Sequence, residues 1–182
     1  MKFSYDFKLS EHSGSSRVYV CGDITARIDF LSGSMMRVAL FRNDCKMLPT
    51  FTVDPQNEFL TEGRDKLSLD GFSLFAPQVK ETADGERFSL ENVEAELNTH
   101  NFVLSYKKDG KLLFADRAPL AYNFQNEFGN GTYHYLTREK GEKIYGLGDK
   151  GGSVNKAGRT FRIETSDSMG YDAETSDPLY KH

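Results

Sequence analysis

The stretch Gly146-Leu147-Gly148-Asp149-Lys150-Gly151 satisfies G-x-G-x-x-G, a pattern whose glycines let a backbone turn tightly against a pyrophosphate held at a helix N-terminus. That chemistry needs a βαβ unit. The residues that follow, Gly152-Ser153-Val154-Asn155-Lys156-Ala157-Gly158-Arg159, carry no amphipathic helical period, and Asp149 would set a negative charge beside the phosphates. The stretch also fails the Walker A pattern. Its glycines therefore read as turn residues that let the chain pass close to another element, and no cofactor is expected.

His12, His100, His134 and His182 stand at no metal-ligand spacing such as i, i+4, and Cys21 and Cys45 are not near them. No metal site is expected. His100 or His134 could act as acid or base in a sugar-handling pocket, or serve simply as a hydrogen-bonded strand or edge histidine. Glycoside hydrolysis uses two carboxylates flanking the scissile bond, but no local pattern singles out one pair among the 27 Asp and Glu residues. Asp167, Asp172, Glu174 and Asp177 could bind sugar hydroxyls or a calcium ion, or form a solvated acidic loop; the EF-hand spacing is absent. Asn130-Gly131-Thr132 is a glycosylation sequon by pattern and a hairpin turn by context, and Lys107, Lys108 and Lys111 read as a solvated hairpin tip.

Composition narrows the classes further. A chain of 182 residues with net charge −4 lacks the basic excess of a nucleic-acid binder. Mean hydropathy is −0.57 and no long apolar run exists, so no membrane partner is expected. Met1 to Phe7 alternates polar and apolar residues and does not read as a secretory leader. Two cysteines without C-x-x-C spacing point to a reducing cytoplasm. Phe and Tyr supply all of the 13% aromatic content, which favours strands.

The elements that must position any site are extended. Apolar residues alternate with period two: Val18 and Val20, then Ile24, Ala26, Ile28 and Phe30, are expected on one face, with Met36, Val38 and Leu40 following. Leu67 and Leu69 with Phe72 and Leu74, Val93 to Leu97, Phe102 to Tyr106, and Leu112 to Phe114 read as further strands. Asp70-Gly71, Asp84-Gly85 and Asp109-Gly110 supply hairpin turn chemistry between them. No sustained helical period or internal repeat is present. The expectation is an all-β, antiparallel β-sandwich over residues 1–144, with a long irregular loop over 145–182. The loop is glycine-rich, then acidic, and its course suggests a fragment of a longer chain.

Tyr145-Gly146-Leu147-Gly148-Asp149-Lys150, then Asn155-Lys156-Ala157-Gly158-Arg159-Thr160-Phe161-Arg162, Asp167, Gly170-Tyr171-Asp172, and Asp177-Pro178-Leu179-Tyr180-Lys181-His182 follow one another in fixed order. This succession resembles glycoside hydrolase family 31, the α-glucosidase and α-xylosidase family. The strands before it look like that family's N-terminal, galactose-mutarotase-like β-sandwich. The resemblance implies a (β/α)8 barrel beyond His182 that carries the nucleophilic and acid/base aspartates, so no catalytic residue is expected in this chain. It implies retaining hydrolysis, which needs two carboxyl groups about 5–5.5 Å apart.

What the resemblance assigns to this chain is a loop completing the barrel's substrate pocket, with Asp167 accepting hydrogen bonds from sugar hydroxyls. Ser166, Ser168 and Tyr171 are implied rim residues. Glu164-Thr165-Ser166 stands where the family often has an Asn-rich run. The implied partners are an α-linked oligosaccharide or glycoside and the chain's own barrel, with homo-oligomerisation through the barrel-facing surface as a further expectation. The favoured reading is a non-catalytic domain of an α-glycosidase, inactive alone. A stand-alone carbohydrate-binding module and an aldose epimerase-like enzyme are the alternatives.

Overall fold

Alternation between residues 24 and 30 places four apolar side chains on one face of a strand, and in the computed structural model that face is the centre of the core. The structure describes residues 5–56, 61–124, 131–148, 152–161 and 163. The chain divides into two units, Met1–Thr137 and Arg138–His182.

In the first unit, β1 (Lys8–His12), β2 (Ser16–Cys21), β3 (Ile24–Ser32) and β4 (Met35–Arg42) form one antiparallel sheet in sequence order. A second sheet, also in sequence order, contains β5 (Gln78–Glu81), β6 (Gly85–Ser89), β7 (Glu94–Asn98), β8 (Val103–Lys108) and β9 (Lys111–Ala115). A small ribbon of β10 (Tyr122–Asn123) and β11 (Tyr133–His134) follows. No helix occurs among the described residues, and none is long and apolar enough to cross a membrane.

The inner faces meet through aromatic rings. Phe30 packs edge-on against Phe88 at 5.2 Å, and Tyr19 against Phe102 at 5.6 Å, with Phe7 on the other side of Phe102 at 5.1 Å. Ile28, Ala26, Leu97 and Leu104 fill the space between them. Burying each such large side chain contributes about 1.5–3 kcal/mol, which makes this seam the main adhesive between the sheets. A polar cross-link reinforces it: Arg17 Nη1 lies 2.7 Å from Glu86 Oε1, and the Tyr19 hydroxyl donates to Glu86 Oε2. Desolvation, then the hydrogen bond to Glu86, raises the Tyr19 phenol well above its ordinary range.

Two expectations need correction. Tyr19, not Val18 or Val20, is the buried β2 residue: Tyr19 is in register with Ala26, while Val18 pairs with Arg27 on the opposite face. The Tyr19 ring brings more apolar area to the core than either valine and carries its hydroxyl to Glu86, which decides the facing.

Residues 67–74 form no strands, so Asp70-Gly71 closes no hairpin. Their backbone is taken by side chains instead. Arg37 binds the carbonyls of Lys66, Leu67 and Ser68, and Arg64 binds that of Asp70. Asp65 Oδ1 accepts from Leu67 N–H and Ser68 Oγ from Asp70 N–H, local turns that compete with ladder formation. The other two Asp-Gly pairs sit at hairpins as expected: Asp84 precedes Gly85, the first residue of β6, and Asp109 and Gly110, both with positive φ, join β8 to β9.

Candidate functional site

The ladder between β8 and β9 ends at Ser105 and Ala115, and the next residue, Asp116, takes over both backbone groups of Leu104. Its N–H donates to Leu104 carbonyl oxygen at 2.8 Å, while its carboxylate Oδ2 accepts from Leu104 N–H at 2.9 Å. The side chain thus imitates a strand partner and is drawn inward, leaving Asp116 only 5% exposed. A buried carboxylate needs full hydrogen bonding, and its second oxygen finds His134 Nε2 at 2.9 Å.

Backbone pairing puts His134 there. Thr137 N–H donates to Ala115 carbonyl oxygen, Arg117 N–H to Tyr135, and Tyr135 N–H to Ala121, so residues 133–137 run beside 115–123. Within the ribbon, His134 is the register partner of Tyr122, and their rings stack at 4.2 Å with planes 4° apart. With Nε2 bonded to Asp116, Nδ1 is the ring nitrogen left for a further hydrogen bond.

These groups line a half-open cavity of about 310 Å³ bordered by β4, β8, β9 and the ribbon. Its apolar walls include Val38, Leu40, Phe114 and Leu136. Tyr106 stacks on Phe114 at 4.2 Å. Desolvation, then the neighbouring Asp116 carboxylate, pushes the Tyr106 phenol up to about 12, and raises Tyr122 further still. Both phenols therefore stay protonated and act as donors in the neutral range. The arrangement offers two phenolic O–H groups, one imidazole ring nitrogen and aromatic walls.

A larger cavity of about 540 Å³ also borders β4, sharing Val38 and Leu40 with the first and walled by Phe41, Met47 and Leu48 among others. Its walls are mostly apolar, and its arginines, Arg37 and Arg64, are engaged with backbone carbonyls. His100 is different again. Its Nδ1 lies 3.2 Å from Asp6 Oδ1, both side chains are at least half exposed, and Lys8 at 2.6 Å holds the Asp6 carboxyl below its usual range. That site has no desolvated pocket for acid–base work.

Among the described residues no group of three or more His, Cys, Asp or Glu could hold a metal. In the second unit, Gly146, Leu147 and Gly148 all have positive φ, and Asn155 Oδ1 accepts from the N–H groups of Ile144 and Ala157. The G-x-G pattern thus shapes an irregular loop closed by Asn155, with no helix among the described residues that follow.

The profile for the glycosyl hydrolase 31 N-terminal galactose mutarotase-like domain matches residues 25–182. The chain belongs to that family. Two solved structures of the Flavobacterium johnsoniae GH31 dextranase have the same fold, one a mutant complexed with isomaltotriose and the other complexed with glucose. Identities are 22% and 23%, each with a TM-score of 0.69 over 97% of this chain. The chain spans only 20% of the length of those dextranase chains. No curated protein matches the sequence.

Within this GH31 N-terminal domain, the implied pocket residues Asp167, Ser166, Ser168 and Tyr171 lie outside the described residues. Sequence reasoning named His134 but missed Asp116. Its signal was faint: a single acidic residue directly after an apolar strand, in the run Leu112-Leu113-Phe114-Ala115-Asp116. Its partner lies 18 positions away, and only the ribbon brings the two together.

Proposed function

We propose that this GH31 N-terminal domain is the non-catalytic part of a retaining α-glycosidase of α-glucosidase type, which hydrolyses terminal α-linked sugars. The catalytic carboxylates belong to a (β/α)8 barrel in the same polypeptide, and the 182-residue segment is inactive alone. The observation that carries the reading is the family match over residues 25–182, which extends through the Gly146–Gly151 motif and the acidic tail. On this reading the sandwich occupies residues 1–144, and residues 145–182 are the loop that runs towards the barrel. There Asp167 accepts sugar hydroxyls at the pocket rim, flanked by Ser166, Ser168 and Tyr171. The two cysteines, both free thiols, support a cytoplasmic setting.

The test is to read the source gene around this segment, express the whole polypeptide, and assay an aryl α-glucoside. We expect hydrolysis by the whole polypeptide, none by the segment, and a fall in kcat/KM of about tenfold or more for Asp167→Ala, equivalent to the roughly 1.4 kcal/mol of a charge-assisted hydrogen bond. Turnover by the purified segment would refute the division of labour. An unchanged kcat/KM in the variant would refute the role of Asp167.

A further inference from the structure

The cavity beside the Asp116–His134 pair has no part in the reading above, since the catalytic carboxylates and Asp167 lie elsewhere in the chain. We propose that it is a second carbohydrate site, built into the sandwich itself, that holds one neutral pyranose ring.

Size sets the first limit. At about 310 Å³ the cavity is at the small end of ligand sites and has room to seat one monosaccharide ring. Charge sets the second. No Lys or Arg is among its described lining residues, and the single carboxylate already serves His134 and Leu104 N–H. A phosphorylated sugar or nucleotide would find no counter-charge, and a cation would have to displace an existing partner.

The remaining groups are neutral and complementary to a sugar. The phenols of Tyr106 and Tyr122 supply O–H groups and His134 supplies the ring nitrogen Nδ1, so adjacent sugar hydroxyls can each be met by a polar group. Val38, Leu40 and the outer ring of the Phe114–Tyr106 stack supply apolar surface for the C–H face of a pyranose. The Asp116 bond and the Tyr122 stack hold the imidazole in one orientation before any ligand arrives.

The experiment is an NMR titration of the 182-residue chain with D-glucose, followed through the His134 ring signals, with sorbitol and glucose 6-phosphate as comparison ligands. Tyr122→Phe removes one donor and keeps the stack. Leu136→Trp, at a position 55% exposed on the rim, narrows the mouth without touching the core. We expect saturable shifts with a Kd on the order of millimolar for glucose, and weaker binding of both comparison ligands. Tyr122→Phe should weaken glucose about fivefold, the loss of one ordinary hydrogen bond, and Leu136→Trp should weaken it at least as much.

Absence of saturable shifts at His134 would overturn the proposal. Equal binding of sorbitol would overturn the ring requirement, and equal binding of glucose 6-phosphate the neutrality requirement. Unchanged affinity in both variants would place any sugar elsewhere. None of these outcomes bears on hydrolysis by the whole polypeptide, so the two readings stand or fall separately.

Discussion

Asp29 and Arg37 face each other across the β3–β4 ladder, and the Arg37 Nη2 and Nε atoms lie 2.6 and 3.0 Å from Asp29 Oδ2. Asp29 is fully buried, and its other oxygen accepts from Ser16 Oγ and Arg27 Nε at 2.6 and 2.7 Å. The same guanidinium of Arg37 reaches the carbonyls of residues 66–68, so one buried acid organises a strand face and the loop beyond it.

Removing Asp29 leaves two guanidinium groups and a hydroxyl short of their partner. Asp29→Ala is expected to cost about 3–5 kcal/mol, as when one member of a buried ion pair is deleted. Arg37→Met should cost less overall but release the loop, seen as faster amide exchange across residues 64–70. Urea denaturation checks the first and hydrogen exchange the second. A change below about 1 kcal/mol in Asp29→Ala, the level of an exposed pair, would mean the cluster is idle.

Alkaline pH provides a second probe. Of the nine tyrosines, Tyr19, Tyr106 and Tyr122 have phenols raised by desolvation, Tyr106 to about 12 against an ordinary 10. Between those values the unfolded chain loses a proton that the folded chain keeps. Stability is therefore unaffected below about pH 10 and falls as pH rises towards about 12. Phenolate absorbance should show a late-titrating class, and Tyr106→Phe should flatten the stability slope above pH 10. Phenols that all titrate together near 10 would show that these rings are not desolvated.

The sandwich was legible in the sequence because period-two alternation and Asp-Gly turns are local signals. Ile24 to Phe30, Val93 to Leu97 and the Asp109-Gly110 hairpin needed nothing beyond their neighbours. Tyr19 defeated the pattern because valines on either side of a tyrosine read equally well in both facings, and the choice was made by Glu86, 67 positions away. Residues 67–74 defeated it because Arg37 and Arg64 take their carbonyls, a competition invisible in a run of alternating apolar residues. The Asp116–His134 pair was half legible. A histidine between two tyrosines could be singled out by type, but the carboxylate that orients it depends on where β9 stops.

Gly85 offers a test of how closely β6 and β7 approach. A methyl group there would overlap the backbone carbonyl oxygen of Leu97 and stand 3.0 Å from Thr99 N, neither of which is a side chain able to swing away. Gly85→Ala should cost about 2 kcal/mol or more, in the range of overpacking a tight site. Gly110 has a left-handed φ of +74° but open space where an added methyl group would stand, so Gly110→Ala should cost only about 1 kcal/mol of backbone strain. Thermal melts of the two variants check the ranking, and an inverted order would mean β7 yields at residue 97.

The last expectation concerns β9. It pairs with β8 alone, so from Lys111 to Phe114 its outer edge presents backbone groups with no strand beside them among the described residues. Leu112, Leu113 and Phe114 are each about half exposed. An apolar edge strand is a template for pairing with another chain, and a charge placed on it is the usual deterrent. The 182-residue chain should therefore sediment with a concentration-dependent increase in mass. Leu113→Lys should abolish that increase while leaving the melting temperature nearly unchanged, because the side chain is exposed and supports no core contact. Sedimentation velocity over a wide concentration range decides it. A strictly monomeric profile for the unmodified chain would show that β9 is adequately shielded by its flanking lysines, and self-association that survives Leu113→Lys would move the contact to another surface.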